Sequence, residues 1–160
     1  MNSNIASQNK GSLISHIEIN VSQYAESIRF YDLVLKSLGW KRLLCQTTHT
    51  TFTDGFSKFI LCPTEEAHSE IPFHRKRAGL NHLAFYADSK EAVETFYREV
   101  LLKNNVPLLY EQKPTGDDAY FAVFFEDPDR IKLEVVYAPS YCDPKDWTNQ
   151  FTDDFDPYNT

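Results

Sequence analysis

Residues 13–21 (LISHIEINV) alternate apolar and polar side chains with the period of two that a half-buried strand requires. The period then changes. Tyr24, Ile28, Tyr31, Leu35 and Leu38 fall at steps of four and three, which predicts an amphipathic helix over residues 23–38. Ser22 is a candidate N-cap and Gly39 a candidate residue just beyond the helix end. Strand-like pieces follow at 40–44, 47–53 and 58–62, the last two joined across Asp54 and Gly55. The whole pattern then recurs. Residues 80–86 (LNHLAFY) predict a strand, and Val93, Phe96, Tyr97, Val100 and Leu101 predict a helix over 89–103, with Asp88 and Glu91 as a capping box. Further strands are expected at 108–112, 120–126 and 131–137, the last two joined through Asp127, Pro128 and Asp129.

The recurrence is a duplication. Sliding the chain on itself by 66 residues sets His16 on His82, Phe30 on Phe96, Tyr31 on Tyr97, Val34 on Val100 and Leu35 on Leu101. Each half reads β-α-β-β-β. The domain plan is a loose N-terminal tail (1–12), a first module (13–63), a linker containing Pro72 (64–78), a second module (79–139) and an acidic, aromatic C-terminal tail (140–160). The expected fold class is α+β, with two βαβββ modules forming an incomplete barrel around a shared metal cleft. Each sheet buries one face under its helix, and the other faces are expected to line that cleft. His16 and His82 then oppose one another. In the last strand Lys132, Glu134 and Val136 share one face, and Ile131, Leu133, Val135 and Tyr137 the other. The apolar set belongs against the helix, so Glu134 points into the cleft. A carboxylate there needs a partner or a metal ion. His16, His82 and Glu134 are therefore the predicted ligands of one divalent ion, a facial arrangement that leaves positions open.

Composition narrows the function classes. The chain of 160 residues is 42% hydrophobic, enough for a sizeable core. No apolar run reaches membrane-spanning length. The net charge of −7 argues against nucleic acid. Five Asp against one Lys in residues 143–160 carry −4 of it, leaving −3 for the body. Trp147, Phe151 and Phe155 in that tail are expected to pack at least partly. Cys45, Cys62 and Cys142 are too sparse and too odd in number for a disulfide framework, and reduced thiols in a cytoplasmic protein are expected. His49, His68 and His74 lack the support of the repeat and are read as solvent-facing.

The segments SHIEINV, SIRFYDLVLKSLGW, GLNHLAFYA and FFEDPDRIKLEVVYAP resemble the vicinal oxygen chelate superfamily of glyoxalase I, extradiol dioxygenases, fosfomycin-resistance and bleomycin-resistance proteins. The resemblance covers residues 13–139 and implies His16, His82 and Glu134 as metal ligands. Glyoxalase I carries a further Glu in the fourth strand, where this chain has KFILCP and no carboxylate. The dioxygenases add an acid–base His that is missing before Glu134, where Tyr120 and Phe124 stand. The fosfomycin enzymes place basic residues after the last ligand, where this chain has Tyr137 and Ser140, so an anionic phosphonate is disfavoured.

The expected function is metal-dependent catalysis, of oxygenase or lyase/isomerase type, on a small substrate that chelates a divalent ion (Fe, Mn, Zn, Ni or Co) through vicinal oxygens. The alternative is a metal-free sequestration protein of the bleomycin-resistance type. Glu18 is a candidate base or a partner for a basic group, and Tyr120 a candidate acid. Asn20, Tyr86 and Lys132 are candidate substrate contacts, Lys132 at the cleft mouth. The partner expected is a small molecule. Members of the superfamily often form dimers, sometimes with the cleft shared between chains, so the resemblance leaves a homodimer open, but the linker over 64–78 is long enough for both halves to pair within one chain.

Overall fold

A computed structural model describes residues 14–141. The order is β1 (His16–Val21), α1 (Tyr24–Ser37), β2 (Lys41–Cys45), β3 (Thr50–Thr53), β4 (Lys58–Pro63), β5 (His82–Tyr86), α2 (Lys90–Phe96), β6 (Thr115–Gly116), β7 (Phe121–Glu126) and β8 (Lys132–Tyr137). The two four-stranded sheets have the orders β1-β4-β3-β2 and β5-β8-β7-β6, and neither closes into a barrel. The duplication extends to the register. β1 runs parallel to β4 with His16 opposite Lys58, and β5 runs parallel to β8 with His82 opposite Lys132. No helix among the described residues is long and apolar enough to cross a membrane. The expectations for residues 1–13, for Cys142 and for the tail aromatics fall outside the described residues.

Several boundaries differ from the sequence pattern for identifiable reasons. Ser22 does not cap α1, because its backbone N–H and hydroxyl both donate to the Asp129 carboxylate in the other module. Gly39 adopts φ +83° at the helix end, as its position required. α2 is capped by Ser89 rather than Asp88, the Ser89 hydroxyl accepting from the Ala92 N–H at 3.1 Å. After Phe96 the helix widens into a π-helical turn over Tyr97–Leu102. The strand expected at 108–112 is absent. Leu108 makes a single bridge to Phe125, and Tyr110 and Gln112 then take positive φ values that no strand tolerates. The sheet edge is formed instead by the two residues of β6.

Both modules bury the same kind of face against each other. Tyr31, Val34, Leu35, Phe59 and Leu61 from the first module join Val93, Phe125, Leu133 and Val135 from the second in one core cluster. Aromatic contacts cross the boundary, with Phe59 6.4 Å and Trp40 6.1 Å from Phe85, and Phe30 6.4 Å from Phe125. At this buried seam the Tyr31 hydroxyl donates to Asp127 at 2.9 Å. The other oxygen of Asp127 accepts from the N–H groups of Asp129 and Ile131. The Asp127–Pro128–Asp129 turn is thus tied to α1 by one aspartate and to Ser22 by the other.

Burial pushes the Asp127 carboxyl up to about 7. In the unfolded chain the group titrates near 3.9. Between those values the native state holds a proton that the unfolded chain has lost, so this contribution is full at low pH and is lost as pH rises through about 7. We expect wild type to lose on the order of 2 kcal/mol relative to Asp127→Asn between about pH 5 and pH 8. Urea unfolding of both proteins at the two pH values checks this, and parallel pH profiles would count against it.

Candidate metal and substrate site

The face of each sheet turned away from the shared core carries the polar residues. On β1, His16, Glu18 and Asn20 alternate with half-buried Ile17 and Ile19. On β5, His82, Ala84 and Tyr86 alternate with Leu83 and Phe85 in the same way. β8 lies beside β5 as its parallel neighbour in the sheet and presents Lys132, Glu134 and Val136 on the same side. Glu134, expected to point into a cleft between the modules, is buried, but not in a cleft that the two polar faces of this chain close. It is only 1% exposed and lies on the polar face, away from the apolar core.

Glu134 has two partners. The Tyr120 phenol donates to Oε1, and His82 Nε2 stands 3.4 Å from Oε2. The preceding residue, Asn81, orients the histidine ring. The Asn81 amide donates through Nδ2 to the Arg75 carbonyl at 3.4 Å, which turns Oδ1 towards His82 Nδ1 at 2.8 Å. An Nδ1–H at this position would donate to Asn81 and leave Nε2 free to face the Glu134 carboxylate as an acceptor. Two acceptors held face to face repel unless a proton or a cation lies between them. The separation suits a cation. Ligand atoms about 2.0–2.2 Å from one ion at ordinary bond angles are roughly 3.0–3.6 Å apart. A His–carboxylate pair backed by a side-chain amide is also a suitable donor set for a first-row divalent ion.

His16 is not part of this pair. Among the described residues, no three His, Cys, Asp or Glu side chains of one chain are placed to hold one ion. The helix-side faces of both sheets fill the common core, so the polar faces do not close on each other within the chain. His16 is exposed, with its Nδ1 3.3 Å from the Ser15 hydroxyl. β1 and β5, the strands carrying the two histidines, are each the edge strand of their sheet.

The other predicted residues divide between two cavities. One, of about 450 Å³, lies on the polar face of the first sheet and is lined by Glu18, Leu44, His49, Thr51, Lys58 and Cys62 among others. Glu18 accepts from the Cys62 thiol at 3.1 Å. Partial burial, then the bond to Glu18, pushes the thiol up to about 11, which keeps it protonated and unreactive at neutral pH. His49, expected to face solvent, is half-buried and lines this cavity, whereas His68 and His74 are exposed as expected. The role of His49 had no signal in the repeat, because its place is set by the loop before β3. Asn20 is exposed on the same face opposite Cys62. Tyr86 lines a second cavity of about 480 Å³ that both modules contribute to, with Trp40, Lys58 and Phe85. Lys132, expected at a cleft mouth, is instead buried.

Tyr120 works as a holder of Glu134. Burial first, and the bond to Glu134 second, raise its phenol well above the ordinary tyrosine range. The phenol therefore stays a donor throughout the neutral range. Replacing it by Phe leaves one oxygen of a buried carboxylate without its donor. We expect Tyr120→Phe to lower stability by about 1–3 kcal/mol in urea unfolding. A change within experimental error would mean that Glu134 does not depend on this bond.

Comparison with known proteins agrees with this architecture. A family model described as the Glyoxalase/Bleomycin resistance protein/Dioxygenase superfamily matches residues 13–135. The Bacillus subtilis protein YqjT, whose function is uncharacterised, is 39% identical over 126 residues, covering 78% of this chain and 98% of its own. A Bacillus halodurans protein provisionally called a glyoxalase has a solved structure that is 40% identical, with TM-score 0.72 over 79% of this chain and 95% of that one. A lactoylglutathione lyase from Agrobacterium tumefaciens shares the fold at 20% identity and TM-score 0.57, over 79% of this chain and 94% of its own.

Proposed function

The chain belongs to the glyoxalase/bleomycin resistance/dioxygenase superfamily, and from that premise we propose that it is a metal-dependent enzyme whose site is completed by a second copy of itself. His82 and Glu134 of one chain and the partner's His16 are the proposed ligands. The observation that carries this reading is the 3.4 Å approach of His82 Nε2 to Glu134 Oε2, with Asn81 Oδ1 2.8 Å from Nδ1. The exposed edge positions of β1 and β5 support a second chain as the source of the third ligand.

The substrate in this reading is a small molecule with two neighbouring oxygens. A bound divalent ion supplies Lewis-acid stabilisation of the negative charge that develops on those oxygens. The chain's own groups do the rest. Asn81 fixes the His82 ring, and Tyr120 fixes Glu134. Glu18, with Cys62 as its only described hydrogen-bond donor, is the proposed proton acceptor on the opposing sheet, and Asn20 and Tyr86 flank the substrate. Oxygenase and lyase or isomerase chemistry both fit this set.

Metal content separates this reading from metal-free sequestration. We expect the purified protein to take up one divalent ion per chain, and His82→Ala and Glu134→Gln to abolish uptake. Asn81→Ala should weaken affinity about 10–100-fold. Co-expressed His16→Ala and Glu134→Gln chains should regain ion binding that neither variant has alone, because mixed dimers contain one intact site. Wild type that stays metal-free after loading with Mn(II), Fe(II), Ni(II) and Zn(II) would favour sequestration. Full binding by His16→Ala would overturn the shared site.

A further inference from the structure

Lys132 has a burial that the pair beside it does not explain. It is 8% exposed, and no ion pair with it exists among the described residues. Its single hydrogen bond is a long one, 3.4 Å to the Tyr110 hydroxyl. The carboxylate directly across the sheet, Glu126, is held by Arg75 at 2.5 Å and Arg130 at 3.6 Å. The ammonium sits instead between two rings, 5.7 Å from the Tyr110 centroid and 5.5 Å from that of Phe124. Cation–π attraction offsets part of the desolvation of a buried ammonium, but leaves its N–H donors under-used.

The loop above it is built to keep this arrangement. Tyr110 is 64% exposed and holds φ +56°, an unfavourable backbone for a bulky residue. It is pinned on one side by Leu109 N–H donating to the Phe124 carbonyl, and on the other by Tyr97 donating to the Gln112 carbonyl. Its ring meets Phe124 edge-on at 5.1 Å. The left-handed turn thereby sets an aromatic cover over the lysine. On its other side Lys132 lies opposite His82 in the parallel register, two residues before Glu134, on the same polar face.

We propose that Lys132 is the anion anchor of the site, and that the substrate carries a carboxylate next to its chelating oxygen, as in a 2-oxo or 2-hydroxy acid. This rests on reading the polar face of the second sheet as the substrate site. The charge supports one carboxylate rather than a phosphate or phosphonate, because Lys132 is a single cation opposite His82, without an ion-pair partner among the described residues, while Arg75 and Arg130 are held by Glu126. Lys132 stands opposite His82 on a neighbouring strand, about 4.8 Å away in backbone spacing, which favours a ligand whose anionic group and chelating oxygen are close together. The Tyr110 and Phe124 rings supply an apolar wall beside the ammonium. A bound carboxylate would take the donors that Tyr110 now uses poorly.

The test compares two probes of nearly equal shape, pyruvate and hydroxyacetone, which differ in carboxylate against hydroxymethyl. Their affinities are measured by calorimetry on wild type, Lys132→Met and Lys132→Arg, each with saturating Mn(II) and each metal-free. Thermal unfolding confirms that the variants are folded, and Lys132→Gln is the second neutral variant. We expect the preference for pyruvate over hydroxyacetone to fall about tenfold or more in Lys132→Met and Lys132→Gln, and to return largely in Lys132→Arg. An unchanged preference in the neutral variants overturns the anchor, as does wild type that binds no pyruvate in either state. Mn(II) uptake, read by electron paramagnetic resonance, is scored separately. Failure of uptake overturns the metal site, while the metal-free titrations still decide the role of Lys132.

Discussion

A four-stranded sheet with one helix has a single apolar face, and in this chain both modules bury that face in the same core. Everything else in the molecule follows from that choice. Phe59 of β4, Phe85 of β5 and Trp40 meet on the helix side, and Phe30, Phe96 and Phe125 fill the space beneath the two helices. Apolar burial at roughly 25 cal/mol per Å² makes such a continuous core worth far more than any polar contact at its rim. The polar faces are left pointing outwards, and they carry the histidines, Glu18, Glu134 and Lys132.

The seam also gives the aspartate–proline–aspartate turn a structural meaning. Asp127 receives the Tyr31 hydroxyl inside the core, and Asp129 receives Ser22 at the surface. The turn before the glutamate strand thus positions β8 against the first module. A serine that would otherwise cap α1 is drawn into that contact. Local preference for a cap gave way to a contact between modules, as happens when one polar group can satisfy only one of two partners.

The two polar faces are related by the repeat but not equal in chemistry. In the first sheet the carboxylate is on β1, Glu18, and its neighbour on β4 is Ile60. In the second, the corresponding pair is Ala84 on β5 and Glu134 on β8. Exchange of acid and apolar residue between adjacent strands gives one face a His–Glu pair at 3.4 Å and the other a Glu–thiol pair. If the faces oppose one another across two chains, the buried lysine and the His–Glu pair lie on one wall and the Glu18 cavity on the other. This is a division of labour that two identical modules would not have.

Sequence alone determined the duplication, the strand–helix order and the face on which Glu134 lies. Those properties depend on periods of 2 and 3.6 residues, which are local and visible in single letters. It also determined that His16 and His82 occupy equivalent places. It did not determine whether those places meet. That depends on how the two modules pack together, which is set by contacts between residues far apart in the chain. The left-handed Tyr110, the diversion of Ser22, the cavity lined by His49 and the burial of Lys132 were likewise decided by the tertiary structure. Each arises from contacts between residues far apart in the chain, where periodicity carries no information.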